Sequence, residues 1–352
     1  MGVRLVLGFA AAAQAIVVAL FSVGAFVWGE MGVGVIGLAA TTFLFSATTP
    51  GIAALAQGWW HALDLSPELS ARGSILEPTL SATAWTVGPA LAAPLVLLSP
   101  LAVFGFGGAA FIGWLLVSHL PDQKPAAKAK TRIGKVAGLH DWWMSATYSL
   151  YHVARALLGA GSTAVLVGAG QAGLVGAASS APSAGHIIGG FAFAARKDAT
   201  RGLARAVYRG LAGQAIPTAV IAATFIAFPH PGAIAAAVML VGGGVLIGIL
   251  KAPVAGAIYP LAATARPHLS PGRSAAIMAQ GITIGGLVGP LLGTLIVSTV
   301  GAVWLLPASC LALLLCGVGV ALDGTMQRIL AGAPESNVVE MPTTVEPVVE
   351  AA

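Results

Sequence analysis

One apolar stretch of the chain carries a regular series of polar side chains. Tyr148, His152, Arg155 and Ser162 follow one another at spacings of i, i+4, i+7 and i+14 among alanine, leucine and glycine. On an α-helix these positions share one face. A guanidinium binds anionic groups through several N–H donors, and an imidazole exchanges a proton near neutral pH. The series therefore predicts the wall of a cavity that binds an anionic group or, as the alternative, a structural arginine bonded to helix-end carbonyls.

Polar side chains in other apolar stretches extend this set of candidates. Ser183 and His186 stand three residues apart in a second run, and Lys251 lies within a third. Polar groups are costly in apolar surroundings unless they find partners or a cavity. The alternatives are hydroxyls bonded to their own backbone, a histidine paired within the core and a lysine that extends to a polar surface. The candidate cavity residues are Tyr148, His152, Arg155, Ser162, Ser183, His186, Lys251, Thr83 and Gln280.

Glu77 is the acidic residue nearest to the interior of an apolar run. A carboxylate at such a place is a candidate for binding a proton that moves together with a solute. Alternatively, Glu77 pairs with Arg72 or caps the start of a helix. Both interpretations are open at the level of the sequence.

The composition shows what kind of structure must position these residues. Of 352 residues, 57% are hydrophobic and 8% are charged, which is too little charge to cover a water-soluble domain. The apolar runs approach or exceed the roughly 20 residues that cross a bilayer, and they lack the alternation of a membrane β-barrel. We therefore predict an all-α polytopic membrane protein with about ten transmembrane helices, at residues 5–27, 33–56, 78–98, 101–117, 144–170, 172–195, 207–228, 233–260, 274–300 and 303–322.

Lysines and arginines are distributed asymmetrically between the two sides of this predicted membrane topology. Apart from Arg155 and Lys251, all of them fall in segments on one side, including residues 124–135 and 196–209. This positive-inside pattern predicts a multi-pass protein of the cell membrane with both termini in the cytoplasm. The net charge of +5 then reflects orientation and contact with lipids, and not nucleic-acid binding.

Two glycine–proline segments occur at equivalent places in the two halves of the chain. They read WTVGPALAA at 85–93 and GGLVGPLLG at 285–293, and an arginine precedes each Gly-Pro glycine by sixteen residues. Glycines four residues apart let two membrane helices pack almost backbone to backbone, while the proline bends the helix. We expect one bent, tightly packed seam in each half, formed by Arg72, Gly88, Pro89, Arg273, Gly285, Gly289 and Pro290.

The two halves are parallel repeats of unequal length. AQAI at 13–16 corresponds to GQAI at 213–216, at an offset of about two hundred residues, yet the second half has six apolar runs and the first has four. Parallel repeats of this kind occur in transporters. We divide the chain into an incomplete N-terminal bundle (1–120), a cytoplasmic linker (121–141), a six-helix C-terminal bundle (142–322) and a disordered cytoplasmic tail (323–352).

These segments resemble the major facilitator superfamily of secondary transporters over residues 5–322. GGLVGP at 285–290 is similar to the G-x-x-x-G-P signature of that family, and GGFAFAARKDATRG at 189–202 is similar to one of its basic loops. The resemblance implies two pseudo-symmetric helical bundles, of which this chain lacks the first two of twelve helices. It also implies a cytoplasmic gating loop that contains Arg196, Lys197 and Arg201.

The resemblance implies a permease that moves a small molecule by alternating access. We expect export, either ion-coupled with protons as the candidate ion or facilitative. The alternatives are uptake of a small anionic solute, suggested by Arg155 and Lys251, and a truncated membrane protein or partner subunit that transports nothing. Because the sequence shows no catalytic triad, metal-ligand cluster or phosphate loop, we expect that the protein is not an enzyme and has no cofactor or metal. We also expect a monomer that contacts membrane lipids and has no nucleic-acid partner.

Overall fold

The computed structural model describes residues 139–196, 202–228, 232–265 and 271–322, together with residues 76–84 and a few neighbouring and more N-terminal positions. The described part is helical and contains no strand. Among the expectations above, most of the N-terminal bundle, nearly all of the linker and the tail lie outside these residues. So do Gly88, Pro89, Lys197 and Arg201.

The described C-terminal part consists of six helical rods, as the sequence predicts. Two short 3₁₀ turns, Ala172–Leu174 and Ala302–Trp304, precede the second and last rods. One rod is built from the short helix Ala233–Ala237, a π-helical turn at Val238–Gly242 and the helix Gly243–Ala265, which run on without a break because the residues at both junctions keep right-handed helical dihedrals. The helices are α1 (Leu139–Gly168), α2 (Val175–Ala194), α3 (Leu203–Ala227), α4 (Ala233–Ala237), α5 (Gly243–Ala265), α6 (Pro271–Thr299) and α7 (Leu305–Leu322).

Five of these rods are long and apolar enough to cross a membrane. Their mean hydropathy ranges from 1.3 to 2.3 over Trp142–Gly168, Leu203–Ala227, Ile234–Ala262, Ala276–Thr299 and Ala302–Leu322. The remaining rod, α2, has 20 residues, but glycine, serine and His186 lower its hydropathy. The prediction of an all-α, multi-pass membrane protein is confirmed.

The chain reverses direction at glycines with left-handed backbone conformation. Gly170 has φ of 72° after α1, and Gly301 has φ of 98° after α6. In the first reversal the N–H of Gln171 donates to the carbonyl of Leu166 at 2.7 Å, so the end of α1 is satisfied without a side-chain cap. Only glycine adopts these dihedrals without steric cost, which allows very short connections between antiparallel rods.

The six rods pack in a fixed order. Helix α6 lies against α1, α1 against α7, α7 against α3, α3 against α5, and α5 against α2. Helices α1 and α2, although consecutive in the chain, share a much smaller contact. The apolar core lies between α1, α3, α5 and α7.

Hydrogen bonds across the rods hold α1 in place. The Ser145 hydroxyl donates to the carbonyl of Ile277 on α6 at 2.7 Å, and the Ser309 hydroxyl on α7 donates to the carbonyl of Ala154, also at 2.7 Å. In lipid no water competes for these groups, so each pair fixes the rotation of α1 against its neighbours.

Candidate functional site

The predicted polar face of α1 is present, and its members lie in different surroundings. Tyr148 is buried in the apolar core, whereas His152 and Arg155 are half-buried. The rings of Tyr148 and His152 meet edge to face, with centroids 4.8 Å apart. Ser162, two turns beyond Arg155, is also half-buried. The polar part of this face is therefore centred on His152 and Arg155.

Tyr151 is a residue of the site that the sequence reasoning missed. Its side chain is fully buried, and its hydroxyl hydrogen-bonds both to the Arg155 guanidinium and to Oε1 of Gln214 on α3, the latter at 3.2 Å. Gln214 in turn donates to the carbonyl of Gly210 at 3.0 Å. Since a guanidinium only donates, the chain of bonds runs from Arg155 to Tyr151 to Gln214 and fixes the position of the charge. The i, i+4 spacing of Tyr151 and Arg155 is the signal that could have revealed this contact.

Titratable side chains on three rods interact with Arg155 electrostatically. Lys251 on α5 interacts electrostatically with Arg155, and both cations act on His152 of α1 and His186 of α2. We call these four residues the cationic cluster. The structure thus brings together candidates that lie in three separate stretches of the sequence.

The cationic cluster has little described acidic charge near it. Glu77 is the acidic residue whose side chain the structure describes, and its charge acts on Tyr259, about two turns beyond Lys251 on α5. Within the described residues, neither Arg155 nor Lys251 forms an ion pair with a carboxylate. The arrangement suits an anion, because positive charge and N–H donors face one another without an internal counter-ion.

The other candidates are spread over the described helices. Ser183 is buried on α2, one turn before His186, while Thr83 and Gln280 are exposed. Thr79, which precedes Thr83 by one turn, is buried against Gly190 of α2. The basic residues of the predicted seam and gating loop stand at helix ends or outside the rods: Arg273 is exposed in the first turn of α6, Arg196 is exposed after α2, and Arg72 is half-buried.

Comparison with known proteins identifies the fold. No protein-family model and no curated protein matches the chain. Among solved structures, a bacterial homologue of the iron transporter ferroportin in its outward-facing state is 14% identical, with a TM-score of 0.61 over 92% of this chain and 84% of that one. The human organic anion transporter MFSD10 (TETRAN) is 17% identical, with a TM-score of 0.59 over 91% of this chain and 77% of that one. The chain has the major facilitator fold.

Within this major facilitator fold, α6 approaches α1 closely at the predicted seam glycines Gly285 and Gly289, and also at Gly281, which was not predicted. A methyl group added to Gly281 would lie 2.6 Å from the carbonyl oxygen of Ser145, and one added to Gly289 would lie 2.5 Å from Cβ of Ala156. A methyl group on Gly285 would collide with the carbonyl of Ser149. These three glycines define the α1–α6 seam. Pro290 is exposed on α6, and the helix continues past it to Thr299.

A second close contact, between α2 and α5, was missed by the sequence reasoning. A methyl group on Gly185 would collide with the carbonyl of Val245, one on Gly189 with that of Ile249, and one on Gly248 with that of Pro182. We call this contact the α2–α5 seam. Gly185 and Gly189 stand four residues apart, as do Gly244 and Gly248, which is the spacing by which sequence could have shown it. The two seams hold the rods that carry His152 and His186.

Proposed function

We propose that this chain is a membrane transporter that moves a small anionic solute by alternating access and binds it at the cationic cluster. The observation that carries the proposal is the electrostatic interaction between Arg155 of α1 and Lys251 of α5, with no described carboxylate paired to either. A bound anion is the counter-charge that this arrangement lacks.

The energetic cost of the two charges supports a binding role. A lysine or arginine at the centre of a membrane helix costs roughly 2.5–3.5 kcal/mol on insertion scales. Arg155 and Lys251 lie within helices that have the length and hydropathy of membrane spans. A structural arginine would be expected to end on helix carbonyls, whereas Arg155 bonds to the Tyr151 hydroxyl, which orients it and leaves other N–H donors of the guanidinium for a ligand.

The comparisons are consistent with transport and differ on the ligand. One structural neighbour is named an organic anion transporter and the other is a homologue of an iron transporter. The two imidazoles of the cationic cluster could ligate a metal cation, but Arg155 and Lys251 would repel a cation at that place. The anion is therefore the solute class that we propose for this chain.

The direction of transport and the placement of the chain in the membrane are part of the same proposal. We propose export through the cell membrane by a monomer whose termini are cytoplasmic. Uptake of the same anion is the second candidate, since the cationic cluster serves either direction. A membrane protein that transports nothing is the alternative that the following experiment separates from both.

The experiment is counterflow in proteoliposomes that contain the purified chain. Vesicles preloaded with lactate, succinate or sulfate should accumulate the matching radiolabelled anion, and vesicles tested with radiolabelled choline should not. Arg155→Gln and Lys251→Gln should each lower the anion signal at least tenfold. Arg205→Gln, which removes an exposed arginine from α3, is the matched control and should keep the wild-type rate.

Two results would contradict the proposal. Counterflow of choline without counterflow of any of the three anions would show that the solute class is wrong. Anion counterflow that survives both Arg155→Gln and Lys251→Gln would show that the anion binds elsewhere.

A further inference from the structure

His186 is the one member of the cationic cluster that is almost completely buried and whose whole ring lacks partners. Its side chain is 2% exposed, and neither ring nitrogen has a hydrogen-bond partner among the described residues. A buried polar group without a partner is energetically costly. The ring therefore has two open positions, of which at least one can accept a proton and the other can donate to a ligand.

The surroundings of His186 leave it little freedom to find another partner. It belongs to the α2–α5 seam, where a methyl group on Gly248 would lie 2.8 Å from the backbone nitrogen of His186. The α2 backbone is therefore held directly against α5 on one side of this residue. His186 stays at the level of the cluster because the helix that carries it has no room to shift toward its neighbour.

The charges that face His186 come from two other rods. Lys251 acts on it from α5, and Arg155 acts on it from α1. His152 on α1 faces the same two cations. Residues 76–84 also pack on α2, through Thr79. The charge described in this segment is that of Glu77, which acts on Tyr259. Protonated His186 is thus a third positive charge beside two existing ones.

We infer that His186 binds the proton that this transporter moves together with its anion. The inference rests on the proposed function. Two cations repel a proton on His186, and an anion between them offsets that repulsion. By linkage, the anion then favours the proton and the proton favours the anion by the same factor. The proton comes from water, occupies one imidazole lone pair and is released to water on the opposite face, so no bond of the anion is broken.

His152 is less suited to this role although it also has a buried nitrogen without a partner. Its ring is held edge-on between Tyr148 and Tyr151, with centroids 4.8 and 5.4 Å away. Its Cβ lies against Gly285 in the α1–α6 seam. These contacts describe a ring that supports the site, whereas both ring nitrogens of His186 lack a hydrogen-bond partner among the described residues and both cations act on the ring. Glu77, the coupling candidate from the sequence, acts on Tyr259, about two turns from Lys251 on α5.

The test is isothermal titration of the purified full chain with lactate, succinate and sulfate in two buffers of different ionisation enthalpy. The difference between the buffers gives the number of protons taken up per anion bound. The wild type should take up about one proton, and its Kd should fall by up to about tenfold for each pH unit as the pH is lowered from 8 to 6. His186→Gln should take up none, with a Kd that does not depend on pH and is at least tenfold weaker than the wild type at pH 6.

Arg205→Gln, which changes an exposed residue outside the cationic cluster, is the matched control and should keep the Kd, the proton uptake and the pH dependence. His152→Gln, which changes a member of the cluster, should weaken anion binding while each bound anion still takes up about one proton. The inference is overturned if His186→Gln still takes up a proton, or if the effect follows His152 instead. Anion binding by the wild type without proton uptake would overturn the inference and leave the proposed function standing. Failure of all three anions to bind the wild type would overturn both.

Discussion

Gly285 of α6 lies directly against His152 of α1, so that a methyl group on the glycine would come within 2.5 Å of the histidine Cβ. The α1–α6 seam and the cationic cluster are therefore parts of one contact. Because packed interfaces shift between discrete arrangements instead of deforming smoothly, a movement of α6 along α1 must displace His152 or carry it along. Packing in the seam is in this way linked to binding at the cluster.

The first prediction concerns this contact. Gly285→Ala should destabilise the protein by about 1–3 kcal/mol, because the methyl group meets the Ser149 carbonyl and the His152 Cβ. Gly286→Ala is the control, since no described atom lies within 4 Å of that methyl position. Thermal unfolding in detergent should show a lower Tm for the first variant and an equal or higher Tm for the second. Equal Tm values for both variants would refute close packing in this seam.

The second prediction concerns the α2–α5 seam. Gly248→Ala should reduce both Tm and transport, because its methyl group would overlap the Pro182 carbonyl on α2, the rod that carries His186. Gly242→Ala, on the same rod with no described atom near the methyl position, should behave like the wild type. The measurement is unfolding in detergent together with counterflow at equal protein density. A Gly248→Ala variant as stable and active as the wild type would contradict close packing in the α2–α5 seam.

The third prediction separates the two stacked tyrosines of α1. Tyr148 and Tyr151 stack with centroids 5.6 Å apart, but it is the Tyr151 hydroxyl that bonds to Arg155 and Gln214. Tyr151→Phe should therefore weaken anion binding by about tenfold, which corresponds to roughly 1.4 kcal/mol for a bond to a charged group. Tyr148→Phe should leave the Kd within twofold. Titration of both variants with the same anion decides the matter, and equal Kd values would show that Tyr151 does not position Arg155.

The fourth prediction concerns orientation in the membrane. The positive-inside pattern places the turn after α2, with Arg196, in the cytoplasm and the turn after α1, with Gly173, on the other face. Both positions are exposed. In a background without Cys310 and Cys316, a membrane-impermeant maleimide added to intact cells should label Gly173→Cys and spare Arg196→Cys. Labelling of both from the same side would contradict the topology.

The helices were predictable because apolar runs of bilayer length leave few alternatives. The six predicted spans of the second half correspond to the six observed rods, and their ends differ by a few residues. Helix α3, for example, begins at Leu203, four residues before the predicted start at Val207, because backbone hydrogen bonding continues past the apolar run through Arg205. The π-helical turn at Val238–Gly242 was not predicted, since it leaves no pattern in the hydropathy.

The site was predictable only in part. The shared face of Tyr148, His152 and Arg155 follows from helical spacing alone. The meeting of Arg155 with Lys251 and His186 depends on which helices pack together, and periodicity along one helix carries no such information. The α2–α5 seam was missed for the same reason. Glycines at i, i+4 are common in membrane helices, and they form a close helix contact only where the backbone of another helix lies against them.

Anion binding at the cationic cluster requires that Arg155 lie in a water-accessible, electropositive cavity, and the charge dependence of thiol labelling measures this property. Arg155→Cys, in a background without Cys310 and Cys316, is treated from each face with a negatively charged methanethiosulfonate and with its positively charged counterpart. Rates are corrected by those of a free thiol. The test needs no knowledge of the solute, and Lys251→Gln in the same background reports the contribution of the second cation.

Arg155→Cys should react from at least one face, and the negative reagent should react at least about tenfold faster than the positive one, as a favourable potential of roughly 1.4 kcal/mol would produce. Adding Lys251→Gln should reduce this preference. A cysteine that is unreactive from both faces, or that reacts faster with the positive reagent, would show that position 155 does not lie in a water-accessible, electropositive cavity.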